Sequence, residues 1–225
     1  MEKNSFSTDT GRSPRCRNIL QSALSCFAEE GFHRTTNKKI AARAGVAEGL
    51  LYHYFPDKEA LLFAIIEEKF SQESSPIQKV YAEWEEKLQN NEISGKDLEV
   101  FLQQVGEATI SSLILHRDVF RIVVSEYRLL EKDREPLYPR MVYELSLNRF
   151  NRIVSVLAGW SEIRDVAQYF LGALFSNFFF QEILSGKKIW PVDDKIFLSR
   201  LIDHFMKGLG PIAGSNLLEG QNGME

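Results

Sequence analysis

An all-α fold is what this chain predicts, on three observations. Apolar residues recur at three- and four-residue steps along most of its length. No stretch alternates polar and apolar residues for long enough to make a strand, and Gly or Pro punctuates the amphipathic runs. About nine helices account for the pattern, divided between an N-terminal three-helix head and a larger C-terminal helical domain. With 225 residues, 44% of them hydrophobic, the chain has ample material for a buried core in each part.

Taken in order, residues 1–13 are polar and form a mobile arm. Ile19, Leu20, Ala23, Leu24 and Phe27 define an amphipathic helix over 15–30, stopped by Gly31. Two short helices follow, over 36–44 and 47–55. Asp57 then serves as N-cap of a helix carrying Leu61, Leu62, Ile65, Ile66 and Phe70, which Ser74, Ser75 and Pro76 end. Further helices are expected over 76–89, 96–115, 119–130, 136–158, 161–184 and 193–207, with a disordered tail over 209–225. The domain division is therefore an arm (1–13), a head (14–57) with a linking helix (58–71), a helical body (72–208) and the tail (209–225).

Charge is uneven along this order. The chain carries a net charge of -4, yet residues 11–58 hold eight Lys or Arg against four Asp or Glu, and residues 59–225 hold 18 against 25. A basic head on an acidic body suits a protein that presents one end to phosphate. Cys16 and Cys26 fall on one helix, roughly 15 Å apart at about 1.5 Å per residue, too far for a disulfide. Free thiols and an N-terminus without an apolar stretch point to the cytoplasm. The most apolar window, Val166 to Gln181, is 16 uncharged residues, short of the ~18 to 20 that cross a membrane, and so belongs to a buried or interface helix.

The segment Thr35 to Leu61 carries the most specific signal. Thr36 caps a short helix whose apolar face is Ile40, Ala41 and Ala44; Gly45 permits the left-handed backbone of a tight turn, and Val46 plugs it from behind. A second short helix runs from about Ala47 to Phe55, and Pro56 stops it. Helix, glycine turn, helix is the geometry that lays a recognition helix in the DNA major groove. The run Thr35-Thr36, Ile40-Ala41, Ala44-Gly45-Val46, Gly49, Leu51-Tyr52, Tyr54-Phe55, Lys58-Glu59 and Leu61, led in by Ala23, Phe27 and Gly31-Phe32, resembles the DNA-binding signature of the tetracycline-repressor (TetR) family. The resemblance covers residues 15 to 62; past it only the helical layout and length agree.

On a helical wheel Leu51 and Phe55 face the core of the head, while Gly49, Leu50 and His53 face outward with Tyr52 and Tyr54 on the shoulders. Gly49 lets the backbone approach DNA, Leu50 suits a thymine methyl, His53 a base acceptor or phosphate, and Tyr52 and Tyr54 phosphate, with partial core packing as the alternative for both tyrosines. The resemblance implies that Thr36 and Lys58 also hold phosphates. Two positions depart from the commoner family pattern. Ala47 lacks a capping hydroxyl worth ~1 kcal/mol. Glu48 favours the helix dipole but repels phosphate unless it accepts from a cytosine amine.

For the body, the resemblance implies a ligand-binding and dimerisation domain. The helix over 161–184 is apolar nearly all round, and with its successor it offers a homodimer surface: Tyr169, Phe170, Phe175, Phe178, Phe179, Phe197, Leu201 and Phe205. Trp84, Phe101, Phe120, Tyr127, Tyr143 and Phe150 are aromatic candidates for lining an effector pocket. The function implied is a ligand-responsive regulator, by family default a repressor, that binds double-stranded palindromic DNA as a homodimer and is released by a small, largely apolar effector. No cofactor or metal is implied, and no membrane partner. An enzyme is disfavoured: the four histidines are scattered, and no metal, nucleophile-elbow or phosphate-loop motif occurs. A helical adaptor without DNA binding is the remaining alternative, disfavoured by the intact set Thr36, Gly45, Tyr52 and Lys58.

Overall fold

The computed structural model describes residues 13–70, 75–126, 128–129, 146–159 and 165–208. Among them are ten α-helices and no strand: α1 (Pro14–Glu30), α2 (Asn37–Ala44), α3 (Glu48–Tyr54), α4 (Lys58–Phe70), α5 (Pro76–Gln89), α6 (Leu98–Leu115), α7 (Arg117–Ser125), α8 (Asn148–Ala158), α9 (Val166–Phe178) and α10 (Asp194–Gly208). The arm up to residue 12, the tail from 209, the first part of the helix expected over 136–158, and the pocket candidates Tyr127 and Tyr143 lie outside the described residues. None of the described helices is long and apolar enough to cross a membrane.

By their contacts the described residues form two units, one from residues up to 70 together with 118–129, the other from 75–117 and from 146 onward. The sequence division placed all of 72–208 in the body; the structure instead gives most of α7 to the head. Sequence periodicity identifies α7 as amphipathic but carries no information on which unit its apolar face joins.

The head is built on α1. Ser13 caps it by accepting from the Cys16 N–H at 3.2 Å, Pro14 starts it, and Ile19, Leu20, Ala23, Cys26 and Phe27 are buried along one face. The buried hydroxyl of Thr35 lies 2.9 Å from the Gly31 carbonyl and 3.1 Å from that of Cys26, binding the following turn to the helix end. Ile40, Ala41, Ala44, Leu51, Phe55, Leu61, Leu62, Ile65 and Ile66 complete the apolar interior contributed by α2, α3 and α4. On α7, Val119, Phe120, Ile122 and Val123 are buried, and none of them joins the core of the body.

The body packs α5, α6, α8, α9 and α10 around a line of rings. Trp84 meets Phe101 at 5.3 Å between centroids, Phe101 meets Phe150 at 5.5 Å, Phe150 stacks on Phe170 at 5.5 Å, and Phe170 meets Phe205 at 5.2 Å. Such aromatic contacts add about 0.5–1.5 kcal/mol each beyond burial. Gly106 lies where α6 packs on α10: a Cβ there would stand 2.3 Å from Leu198 Cδ1, so a larger residue would require the Leu198 side chain to shift. Beyond α9 the chain continues through a π-helical turn (Phe179–Ile183) and a 3-10 turn (Gly186–Lys188).

This packing corrects part of the expected surface. Phe170 is fully buried in its own subunit and Phe178 nearly so, which removes both from an interface role. A helix apolar all round still has one face turned inward, and Phe170 lies on it with Ala167 and Leu174. Phe197, Leu201 and Phe205 are partly buried against the same core. Tyr169 (70% exposed) and Phe175 remain on the surface, joined by Phe180, Leu184, Ile189, Trp190 and Ile196.

Candidate nucleic-acid interface

The recognition geometry is assembled from local devices. Thr36 Oγ1 accepts from the Lys39 N–H at 3.3 Å and caps α2. At the other end Gly45 takes φ 66° and ψ 33°, the left-handed region that a residue with a Cβ enters at a cost. There the Gly45 N–H donates to Ala42 O at 3.2 Å and the Val46 N–H to Ala41 O at 3.0 Å, which closes the helix and reverses the chain. The Asn18 side-chain amide donates to Ala44 O at 2.8 Å, so α1 grips the turn directly.

The second helix of the pair, α3, is only seven residues long and has no side-chain cap, as Ala47 foretold. Its orientation comes from Leu51 (0% exposed) and Phe55, which anchor it in the head. Gly49, His53, Tyr52 and Tyr54 are exposed and Leu50 is half-buried, so the expected reading face is turned outward. His53 and Tyr54 meet edge to face at 5.6 Å between centroids. Ala47 and Glu48 are exposed at the start of the helix. Tyr52 is 49% and Tyr54 37% exposed, and the Tyr54 ring lies 6.3 Å from that of buried Phe55.

The electrostatics differ from a plain basic patch. Arg43 pairs bidentately with Glu29 at 2.7 and 2.6 Å, and Lys39 pairs with Glu30, so two of the head's cations are turned back onto α1. The hydrogen bond to Arg43 holds the Glu29 carboxyl below its ordinary range, and the same bond raises Arg43. Among the described residues Arg15, Arg17 and Lys38 are exposed and make no ion pair. With Arg34, which is exposed and bonds only the Glu30 carbonyl at 2.7 Å, they are the head's exposed positive charges that no carboxylate neutralises among the described residues.

Lys58 is the largest departure from expectation. Its ammonium donates to the carbonyls of Phe32 at 2.6 Å, Thr35 at 3.0 Å and His33 at 3.4 Å, and it sits 4.4 Å from the Phe32 ring centroid. Burial lowers its pKa, opposed by the nearby charge of Glu126. Three carbonyl partners occupy all three ammonium donors, so in this structure Lys58 braces the α1–α2 turn rather than presenting a free charge. The spacing of 23 to 26 residues between Lys58 and its acceptors explains why sequence reasoning missed this role.

Residues 19–65 match the family model described as bacterial regulatory proteins, tetR family. The fatty acid metabolism regulator protein of Bacillus subtilis is 41% identical over 59 residues, which is 26% of this chain and 30% of that one. The transcriptional regulator BetI of Klebsiella pneumoniae is 28% identical over 199 residues, covering 86% of this chain and 92% of that protein. Among solved structures, the regulator FadR from Bacillus subtilis in complex with stearoyl-CoA has the same fold, with a TM-score of 0.58 at 21% identity over 85% of this chain and 98% of that one. Residues 19–65, which run from α1 into α4, thus match the tetR family of bacterial regulatory proteins, and the all-helical body shares its fold with the FadR structure.

Proposed function

We propose that the protein is a cytoplasmic, ligand-responsive transcriptional repressor that binds a palindromic operator as a homodimer. The observation that carries this reading is α3: a helix fixed in the head by Leu51 and Phe55 and offering Gly49, Leu50, Tyr52, His53 and Tyr54 to solvent. Leu50 packs on a thymine methyl, His53 addresses a base edge, and Tyr52, Tyr54 and Thr36 hold the backbone, with Ala47 and Glu48 at the point where α3 enters the groove. Arg15, Arg17 and Lys38 supply the phosphate contacts, and Lys58 acts by bracing the turn. Two copies are needed because one short helix reads too few bases, and the exposed apolar side chains from Tyr169 to Ile196 support pairing through α9, α10 and the turns between them.

The effector class with most support is a long-chain acyl-CoA. A protein of the same fold was solved with stearoyl-CoA, and the body of this chain is rich in phenylalanine, with Trp84, Phe101 and Phe150 at its centre. Binding would shift the body between two conformations and alter the separation of the two heads from the ~34 Å half-site spacing. Titrating stearoyl-CoA into a protein–operator complex while following fluorescence anisotropy tests this part. Release of DNA supports it; unchanged anisotropy at saturating ligand rejects acyl-CoA as the effector and leaves DNA binding to be judged separately.

A further inference from the structure

We infer that Glu126, on the segment that follows α7, is a positioning residue for DNA binding: it sets the geometry of the α1–α2 turn that leads into Thr36. The inference rests on the DNA-binding reading above. Its basis is a joint of three side chains within the head unit. Glu126 Oε2 lies 3.0 Å from His33 Nε2, and the Glu126 side chain is only 10% exposed whereas that of His33 is 74% exposed. Packing therefore does not hold the imidazole; the carboxylate and an edge contact with the Phe32 ring at 5.4 Å do. Lys58 takes the carbonyls of Phe32, His33 and Thr35 from the same turn, and the field of Glu126 favours its charged form against burial.

The carboxylate is delivered rigidly. The Glu126 N–H donates to Ile122 O at 2.9 Å, continuing the helical path of α7, whose Val119, Phe120, Ile122 and Val123 are buried. A carboxylate this enclosed is stable only with partners, and it has His33, the Ser125 hydroxyl at 3.4 Å and the Lys58 charge. The turn is thus held from two sides, by Lys58 at the start of α4 and by Glu126 after α7. Thr36, whose hydroxyl caps α2, is the next residue after the Thr35 carbonyl that Lys58 holds. Removing the carboxylate frees His33 and weakens the grip of Lys58 on the turn. By chain continuity α7 follows α6 after the single residue His116, so this joint also ends the stretch that runs on from the core of the body.

The test uses the full-length protein and a duplex that the wild type enriches from a random pool. Glu126→Ala and His33→Ala are each expected to weaken binding about tenfold, and the double variant no more than either alone, the non-additivity of groups acting as a unit. Glu126→Gln keeps an acceptor for His33 and is expected to recover part of the loss. Amide exchange of residues 32–36 should be faster in Glu126→Ala, with α5 and α6 unchanged, a pattern that general destabilisation does not give. Affinities within twofold of wild type overturn the inference, as do losses that multiply in the double variant. If the wild type enriches no duplex, the DNA-binding reading fails by itself, and exchange at residues 32–36 then decides whether Glu126 sets the turn.

Discussion

Leu51 and Tyr52 are neighbours on α3 with opposite tasks, and substitutions separate them. Leu51 is fully buried, so Leu51→Ala should cost about 2–5 kcal/mol of stability by opening a cavity in the head. Tyr52 is about half exposed, and Tyr52→Phe should leave the melting temperature unchanged while weakening operator binding several-fold, measured by thermal unfolding and anisotropy on the same samples. In the body, the Tyr81 hydroxyl is buried with no hydrogen-bond partner among the described residues, and burial pushes its pKa up. Its removal in Tyr81→Phe should raise stability by about 1 kcal/mol, since an unsatisfied buried hydroxyl costs roughly that much; a lower melting temperature would show that the hydroxyl has a partner in solution. Glu85 makes a bidentate pair with Arg149 at 2.9 and 2.7 Å and also pairs with Arg152. The hydrogen bond to Arg149 is the main cause that lowers its pKa. A depressed carboxylate stabilises fully above its unfolded pKa and loses that contribution as pH falls through the folded value. Replacing Glu85 with Gln should therefore flatten the acid side of the stability profile below about pH 4.3 and leave its slope near neutrality alone.

At the scale of elements, the helix limits that sequence made legible are those with local chemistry. The helix expected over 76–89 is α5 to the residue, started by Pro76. The cap of Thr36 and the turn at Gly45 form as the motif required, because each depends on residues within five positions. Gly45→Ala would place a Cβ at φ 66° and should cost about 1–2 kcal/mol, read as a lower denaturation midpoint, although no neighbouring atom stands in the way. What sequence did not yield were relations across the chain. The periodicity of α7 is plain, but its place with the head follows from contacts with residues far away in sequence. The pairing of Arg43 with Glu29 and the three carbonyls around Lys58 are of the same kind, and they turn a count of eight basic residues into a smaller set facing outward. Phe170 was legible as apolar but not as inward-facing, because a helix with few polar residues gives no wheel by which to orient it.

For the whole molecule, the reading requires two copies acting together. Seven large apolar side chains from Tyr169 to Ile196 stand in solvent in the single chain, with Ile189 at 88% and Trp190 at 78% exposed. Replacing Tyr169 and Phe180 together with Glu should give a monomer by sedimentation at micromolar protein, with the helical content unchanged and operator affinity lost. A variant that stays dimeric would move the interface elsewhere on the body. The reading stands most directly on sequence-specific DNA binding by the reading face of α3, and one measurement addresses it: enrichment of duplexes from a random pool by the full-length protein, followed by affinity as a function of salt. The expected result is an enriched palindrome whose half-sites lie about one helical turn apart, bound with an affinity that falls linearly with salt on a double-logarithmic plot and is lost in Tyr52→Ala and His53→Ala. Enrichment of no sequence, or an enriched sequence bound equally well by both variants, would contradict it.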